Sequence, residues 1–344
     1  MGQFPSYLVN TSDFSWKVDV PTPQIEIIGP EAVNQFNPVY VDPSFFDGAK
    51  FHVMQNTYFL PDCVFLQNNS YVLLSHACHP RYWDGLYQQP DKITYNLTYY
   101  KKVICIGHQH TSDYGHWFLE VFPVYVALPQ NLLHESIIIV PEEREYIYQC
   151  LETLGIKREQ VIAGHNDAFF ADTFYTVSYK FCGDLVPYFI DNFRKFFVKT
   201  FDLDHVKPHR FVMYNRKNTS RSIGNFKEVM DMVHTKFPNI PWEEGEIPKN
   251  IEDQAKYFNE IKFFFGIHGS ALAGAIYMQP GTAVVEMQME QWLLSFLYLS
   301  RYTSKIMVSG RDPKISWSGL EPCTLDLNYT ETLIRRALEK LGAI

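Results

Sequence analysis

Residues 263–286 read FFFGIHGSALAGAIYMQPGTAVVE. An apolar run ends in the polar turn His268-Gly269-Ser270 and passes into a small-residue stretch. A Pro280-Gly281 turn follows, then a second apolar run reaching Glu286. Strand, turn, helix, turn, strand is the repeating unit of a parallel sheet. The helix expected after Gly269 would present unpaired backbone N–H groups and the positive end of its dipole at its start. Small residues there let an anion approach the backbone closely. Glu286 falls at the carboxyl end of the next strand, where α/β sheets place ligand contacts. The stretch therefore predicts a site for a phosphorylated ligand, a nucleotide whose ribose lies near Glu286.

The same alternation extends outward in both directions. Upstream, RFVMYNRK reads as a strand running into a polar loop, and NFKEVMDMVHTKF as a helix. Asn250 with Asp253 forms an N-cap pattern ahead of IEDQAKYFNEI. Downstream come a helix near 291–300, the strand IMVS, and a last helix, TLIRRALEKLG, capped by Asn328 with Glu331. A break at 202–208 separates this block from an earlier one. There KKVICIGH and ESIIIVP read as buried strands, 113–128, EREYIYQCLETLG and 188–201 as helices, VSYKFCG as a further strand, and VFLQNNSYVLLS as a hairpin. The expected fold class is α/β, with two Rossmann-like domains. An irregular stretch occupies 1–50, an N-terminal acceptor and catalytic domain 51–203, and a C-terminal nucleotide-binding domain 204–327. A helix at 328–344 is expected to be able to cross back onto the N-terminal domain.

Composition narrows the class. The chain has 344 residues, 46% hydrophobic and 16% aromatic, with a formal net charge of −8. An acidic balance argues against a general nucleic-acid partner. No apolar run reaches the roughly 18 residues of a membrane span. Six cysteines occur without a C-x-x-C pair, so a structural zinc is not expected; they are buried thiols or up to three disulfides. Sequons at Asn10, Asn68, Asn96, Asn218 and Asn328 lean toward a secretory lumen, Golgi or ER, if an anchor precedes this sequence, and the cytoplasm is the alternative.

Three constellations carry chemistry. The first is His116-Trp117-Phe118-Leu119-Glu120, followed by Pro123. The second is Asn215-Arg216-Lys217, then Arg221-Ser222-Ile223-Gly224-Asn225 and Glu228. The third is Gly266, His268-Gly269-Ser270-Ala271-Leu272, Pro280-Gly281-Thr282 and Glu286. In this order, over roughly residues 105–290, they resemble glycosyltransferase family 61. That group includes plant xylan xylosyl- and arabinosyltransferases and animal N-acetylglucosaminyltransferases. Ser270, Ala273, Asn215, Phe226 and Glu120 depart from its usual residues, which leaves donor choice open. The resemblance implies a GT-B-type fold with two domains facing a cleft, an inverting transfer from a UDP-sugar, and no bound metal or other cofactor. The implied partners are the UDP-sugar donor and a glycan or glycoprotein acceptor. N-acetylglucosamine and xylose are the leading sugars.

The residue types fit that chemistry on their own terms. Transfer from a nucleotide-sugar must stabilise a departing diphosphate. Arg216 and Arg221 offer forked donors, and His268, Gly269, Ser270 and Ala271 sit where backbone donors collect. An inverting displacement also needs a base for the acceptor proton. His116 and Glu120 stand i, i+4 on the expected helix and share a face, so either Glu120 is the base or it orients His116. Asp202-Leu203-Asp204 matches a metal-binding D-x-D but follows a helix at the domain break, and reads as a solvated linker. His108 and His110 raise a metal-hydrolase alternative, although no His follows Asp113 as that spacing requires. A degenerate transferase fold that only binds is the remaining alternative.

Overall fold

The computed structural model describes residues 7–13, 24–28, 50–61, 63–67, 70–73, 97–108, 110–164, 168–178, 183, 185–216, 221–290, 293–315 and 321–344. The chain divides into two compact units, Met1–Val18 with Asp42–Phe193, and Asp19–Val41 with Arg194–Ile344. It is a mixed α/β protein with one sheet in each unit. The strands are β1 Tyr7–Asp13, β2 Gln24–Ile28, β3 Lys50–Leu60, β4 Val64–Gln67, β5 Ser70–Leu73, β6 Leu97–Cys105, β7 Ile137–Val140, β8 Val161–Ala163 and β9 Ala168–Ser178, followed by β10 Arg210–Met213, β11 Trp242–Glu244, β12 Ile261–Ile267, β13 Ala283–Gln288 and β14 Ile306–Arg311. The N-terminal stretch, expected to wrap over the surface or form short edge strands, contributes two strands, β1 to the first sheet and β2 to the edge of the second.

The first sheet runs β5-β4-β3-β9-β6-β7-β8, with β1 also on β3. It is parallel only across β9, β6, β7 and β8; the other pairings are antiparallel. The wholly parallel sheet that alternation suggested is therefore not formed here. The strand expected at 177–183 lies mostly outside the described residues. Strand β9 lies upstream instead, and its buried residues Phe169, Ala171 and Phe174 join Met54, Phe59, Val103 and Ile139 in one core. The sulfurs of Cys63 and Cys105 meet in the same core at 2.7 Å, and these two residues and Cys150 are buried. Cys78 and Cys182 lie outside the described residues.

Helix α1, residues 114–127, follows β6. It has α-helical ends, Tyr114–His116 and Phe122–Ala127, around a π turn at Trp117–Val121. The widened turn has a local cause. Pro123 carries no N–H to close a bond onto the Leu119 carbonyl, and the Phe122 N–H bonds to the Trp117 carbonyl five residues back. Trp117, Phe118, Phe122 and Tyr125 are fully buried, and Phe118 and Phe122 meet Phe193 edge-on at 5.0 and 5.4 Å. Burying each large ring contributes about 1.5–3 kcal/mol, so the helix is firmly seated. Helices α2 Gln130–His134, α3 Glu145–Thr153 and α4 Pro187–Thr200 complete this part of the chain.

The second sheet is parallel throughout, in the order β11-β10-β12-β13-β14-β2. Its five consecutive strands β10 to β14 follow the doubly wound order 2-1-3-4-5, whose direction reverses between β10 and β12. In such sheets ligands bind at the carboxyl ends beside that reversal. Phe263, Phe264 and Phe265 are all fully buried, as a central parallel strand covered on both faces requires. Helices α5 Phe226–Lys236, α6 Ile251–Asn259, α7 Ser295–Tyr302 and α8 Leu327–Lys340 surround the sheet. Asn250 caps α6 as expected, its side chain accepting from the N–H groups of Glu252 and Asp253. The cap of α8 is Asp326 rather than Asn328, accepting from Tyr329. Helix α8 packs on the sheet of its own unit. Leu333, Ile334, Ala337 and Leu338 form a helical stripe in the core with Val285, Met287 and Val308. Gly310 permits this approach, because a Cβ there would stand 2.4 Å from Leu333 Cδ1.

The stretch after β12 corrects a sequence expectation. Ser270–Ile276 is a seven-residue 3-10 helix, not an α-helix. Its macrodipole is correspondingly small, so any anion site here must draw its charge from side chains. In the Asp202-Leu203-Asp204 segment both aspartates are exposed and Leu203 is buried, with Asp202 paired to His205 at 3.0 Å.

Candidate functional site

Two clusters form, one in each unit. In the first, the carboxylate of Glu120 is the centre. Strand β6, buried over its last three residues, delivers His108 just past its end, and the π turn aims Glu120 at it, with Nε2 to Oε2 at 2.9 Å. The other oxygen, Oε1, meets His116 Nδ1 at 2.8 Å and accepts the Gly183 N–H at 3.0 Å. The side chains of His108 and Glu120 are 2% and 4% exposed, and that of His116 is 31% exposed. The i, i+4 pairing expected from the sequence is therefore formed, but the acid sits behind the histidine.

Burial alone would drive the Glu120 pKa up. The hydrogen bonds from His108 and His116 outweigh it and hold the carboxyl below its ordinary value. For His116, burial pulls the other way, and the bond to Glu120, its charge and that of Asp113 leave the imidazole raised. His110 completes the neighbourhood. It stacks on His116 at 5.2 Å and pairs through Nδ1 with Asp113 at 3.3 Å.

Donor atoms of His108, His116 and Glu120 all lie within 4.8 Å of one another, a spacing that a metal ion can use. The tautomer of His108 opposes that use. Its Nδ1 accepts the His110 N–H at 3.2 Å, so a neutral ring carries its proton on Nε2, the atom that would have to ligate. The arrangement suits proton handling better than metal binding.

The second cluster occupies the reversal point of the parallel sheet. Arg216 follows β10, and His268 and Gly269 follow β12. Asn215 clamps the two ends of the intervening loop, donating to the Ile223 carbonyl at 3.0 Å and accepting the Ile223 N–H at 2.7 Å. This folds both arginines onto the turn. Arg221 donates to the His268 carbonyl at 3.2 Å, with a left-handed backbone, φ 64°. A Cβ on Gly269 would stand 2.5 Å from Arg216 Nη2 and 3.3 Å from Arg221 Nη1. Burial lowers the pKa of Arg216, and burial with the Arg216 charge lowers that of Arg221 to about 10. Two like charges are thus held together in partial burial.

His268 is oriented from behind. Its Nδ1 meets Glu286 Oε1 at 2.6 Å, and its ring packs on Phe296 at 5.1 Å. Glu286 is fully buried; Oε2 accepts from Gln288 Nε2 at 2.8 Å and from the Ser309 hydroxyl at 3.3 Å. Glu286 and Gln288 alternate onto one face of β13, and Ser309 stands opposite Glu286 in register on β14. Ser270 and Ala271 open the 3-10 helix, half-buried. Glu286, expected near a ribose, lies inside the sheet with both carboxylate oxygens engaged.

The family model described as Glycosyltransferase 61 matches residues 114–285, half of the chain. The match takes in both clusters apart from His108, His110 and Asp113 ahead of it and Glu286, Gln288, Phe296 and Ser309 beyond it. The chain belongs to glycosyltransferase family 61. Membership makes glycosyl transfer, from a sugar donor to an acceptor, the activity class of this protein. No curated protein matches it. Among the described residues, no helix of this family 61 member is long and apolar enough to cross a membrane.

Gln288 and Ser309 are not anticipated from the sequence, and His108 is placed there in a different chemistry. The signal for His108 was its position at the carboxyl end of a buried strand. Gln288 and Ser309 had none, since their roles arise only from strand pairing. Lys217 and Asn218 lie outside the described residues.

Proposed function

We propose that this family 61 member is an inverting, metal-independent transferase of GT-B type. It moves a sugar, N-acetylglucosamine or xylose by family resemblance, from a UDP-sugar to a hydroxyl of a glycan or glycoprotein. The observation that carries the reading is the arginine pair at the reversal point of a parallel sheet. Arg216 and Arg221 are pressed against the same glycine, where their charges repel one another unless an anion joins them. A diphosphate supplies that anion, and forked guanidinium donors suit it. His268, fixed by Glu286, adds a third donor, with Ser270 and Ala271 lining the turn. Such a cradle takes over the charge neutralisation that a divalent ion would provide.

In the first unit the roles of base and orienter separate on exposure. Glu120 is enclosed by three hydrogen-bond donors, whereas His116 presents a third of its side chain to solvent. We assign His116 as the base and Glu120 as its orienter. With Nδ1 turned to Glu120, Nε2 is the nitrogen that takes the acceptor proton. The acceptor oxygen then bonds to the anomeric carbon as the bond to the UDP oxygen breaks, and Glu120 stabilises the imidazolium.

The test is a thermal-shift titration of the purified protein with UDP, GDP and ADP, each with and without EDTA. A UDP shift that survives EDTA is expected, after which UDP-sugars are tried and the product anomer is read by NMR. No shift with any nucleotide, or a shift abolished by EDTA, overturns the reading.

A further inference from the structure

His108 stands six residues ahead of the region that the family model matches, and the transfer chemistry above assigns it nothing. It is nonetheless buried and held at its backbone and at both ring nitrogens. Its backbone N–H donates to Thr111 Oγ1 at 2.7 Å, and that hydroxyl occupies the space above Gly107, where a Cβ would stand 2.2 Å away. Its Nδ1 accepts the His110 N–H, which fixes the ring and leaves Nε2–H to donate to Glu120 Oε2. A buried polar residue anchored at three points, with its last donor spent on a buried carboxylate, has a more specific task than filling space.

We propose that His108 is a positioning residue for transfer: it holds Glu120 Oε2 so that Oε1 stays on His116 Nδ1, and its donated hydrogen bond sets how tightly the His116–Glu120 pair keeps its proton. The inference rests on the reading of His116 as the base. The charged and titratable groups facing the pair are His108 on Glu120, Asp113 and His110 beside His116, and Arg144 acting through Asp113. Gly183 contributes the one backbone donor described at Glu120. Removing the His108 donor leaves the buried carboxylate less stabilised as an anion. The pair then holds its proton more tightly, whether that proton sits on His116 or on Glu120.

Two substitutions of similar polarity separate this role from plain packing. His108→Asn places an amide oxygen near the Nδ1 position but is too short to reach Glu120. His108→Gln carries its amide N–H to about the place of Nε2. The His116 ring is titrated by NMR in each protein, and pH–rate profiles are taken with UDP-sugar and acceptor. In His108→Asn the His116 titration and the acidic limb of kcat are expected to move up by about 1–2 pH units, the worth of one hydrogen bond to a charged group. His108→Gln returns most of that shift. KM for the donor stays unchanged in both, because the donor cradle belongs to the other cluster. Equal His116 titrations in wild type and His108→Asn overturn the inference even if the wild type transfers sugar. A shifted titration in a protein that transfers nothing supports the role of His108 and defeats the transferase reading instead.

Discussion

Gly269→Ala tests the donor cradle most sharply, because the added methyl lands on the atoms that are supposed to bind. Its Cβ would lie 2.5 Å from Arg216 Nη2, 3.1 Å from Arg216 Cζ and 3.3 Å from Arg221 Nη1. The nearest atoms are the far end of a flexible side chain, so Arg216 swings away rather than the turn collapsing. The backbone at Gly269, φ 157° and ψ 177°, lies in a region that is essentially Gly-only, which adds about 1–3 kcal/mol of destabilisation. Loss of one charge-assisted bond to the diphosphate is worth about 1.5–3 kcal/mol, or about 10- to 150-fold in UDP affinity. Gly274→Ala is the matched control. Its Cβ would stand 2.2 Å from the Phe258 ring, inside the core, and overpacking costs a comparable amount, about 1–3 kcal/mol, without touching the arginines. Calorimetric titration with UDP, below the unfolding range of every variant, should show weakened binding for Gly269→Ala alone. In an Arg216→Ala background, Gly269→Ala should cost little further affinity, since its target is already gone. Wild-type affinity in Gly269→Ala, or full additivity in the double variant, would refute the reasoning.

The remaining expectations concern charge. Arg216→Ala and Arg221→Ala should each abolish measurable transfer while circular dichroism stays native, and retained turnover in both would sink the leaving-group assignment. Glu120→Gln should lower kcat by about 100-fold or more, as expected when a base loses its orienting anion, with little change in donor KM; an equal fall in donor affinity would mean that Glu120 acts elsewhere. The His116–Glu120 pair also predicts a pH window for stability. The depressed Glu120 contributes stability above about pH 4.5, its ordinary value, which is lost as pH falls through the folded value. The raised His116 contributes below about pH 6.5, and this is lost as pH rises through its folded value. The stability gap between wild type and His116→Ala should therefore peak between those limits, at about 1–3 kcal/mol, less than for a fully buried pair because His116 is partly exposed; a gap that is flat from about pH 4 to 8 would contradict it. Lys305 is buried, its pKa driven down by burial and by Arg194, with the Thr303 carbonyl at 3.4 Å. Lys305→Met should stabilise the protein by about 1–3 kcal/mol, most at low pH where the unfolded chain binds the extra proton, and a lowered Tm would show that the ammonium is better served than its neighbours suggest.

The parts of this fold that announce themselves in sequence are those governed by local rules. The run FFFGI is a buried parallel strand because no solvated face could tolerate it, and Asn250 caps α6 because its amide oxygen matches the first free N–H groups. The i, i+4 spacing of His116 and Glu120 survives even the π turn, although that turn itself was visible only as Pro123. Long-range features were not legible. Nothing near Glu286 foretells that Gln288 and Ser309 will take its second oxygen, because Ser309 reaches it through a strand register. The mixed first sheet depends on β3 pairing with β9 more than a hundred residues away. The small-residue stretch after Gly269 looked helical by composition, but it closes as a 3-10 helix, and that changes the source of positive charge from backbone to arginine.

Both clusters use one device with different ends. In each, a histidine turns Nδ1 to a buried glutamate, at 2.8 Å for His116 and 2.6 Å for His268, so that Nε2 becomes the working atom. In each, the glutamate is satisfied by further donors, Gly183 and His108 in one case, Gln288 and Ser309 in the other. On the proposed reading, a carboxylate so enclosed orients its histidine, since taking a proton itself would mean giving up those hydrogen bonds. What distinguishes the clusters is the company that the histidine keeps. His268 stands with Arg216 and Arg221, whose charges call for an anion. His116 stands with His110 and Asp113, which leave a site of mixed charge where a neutral hydroxyl can dock and lose a proton. The proposed division of labour between donor and acceptor rests on that difference in neighbours, since the histidine–glutamate pair is common to both.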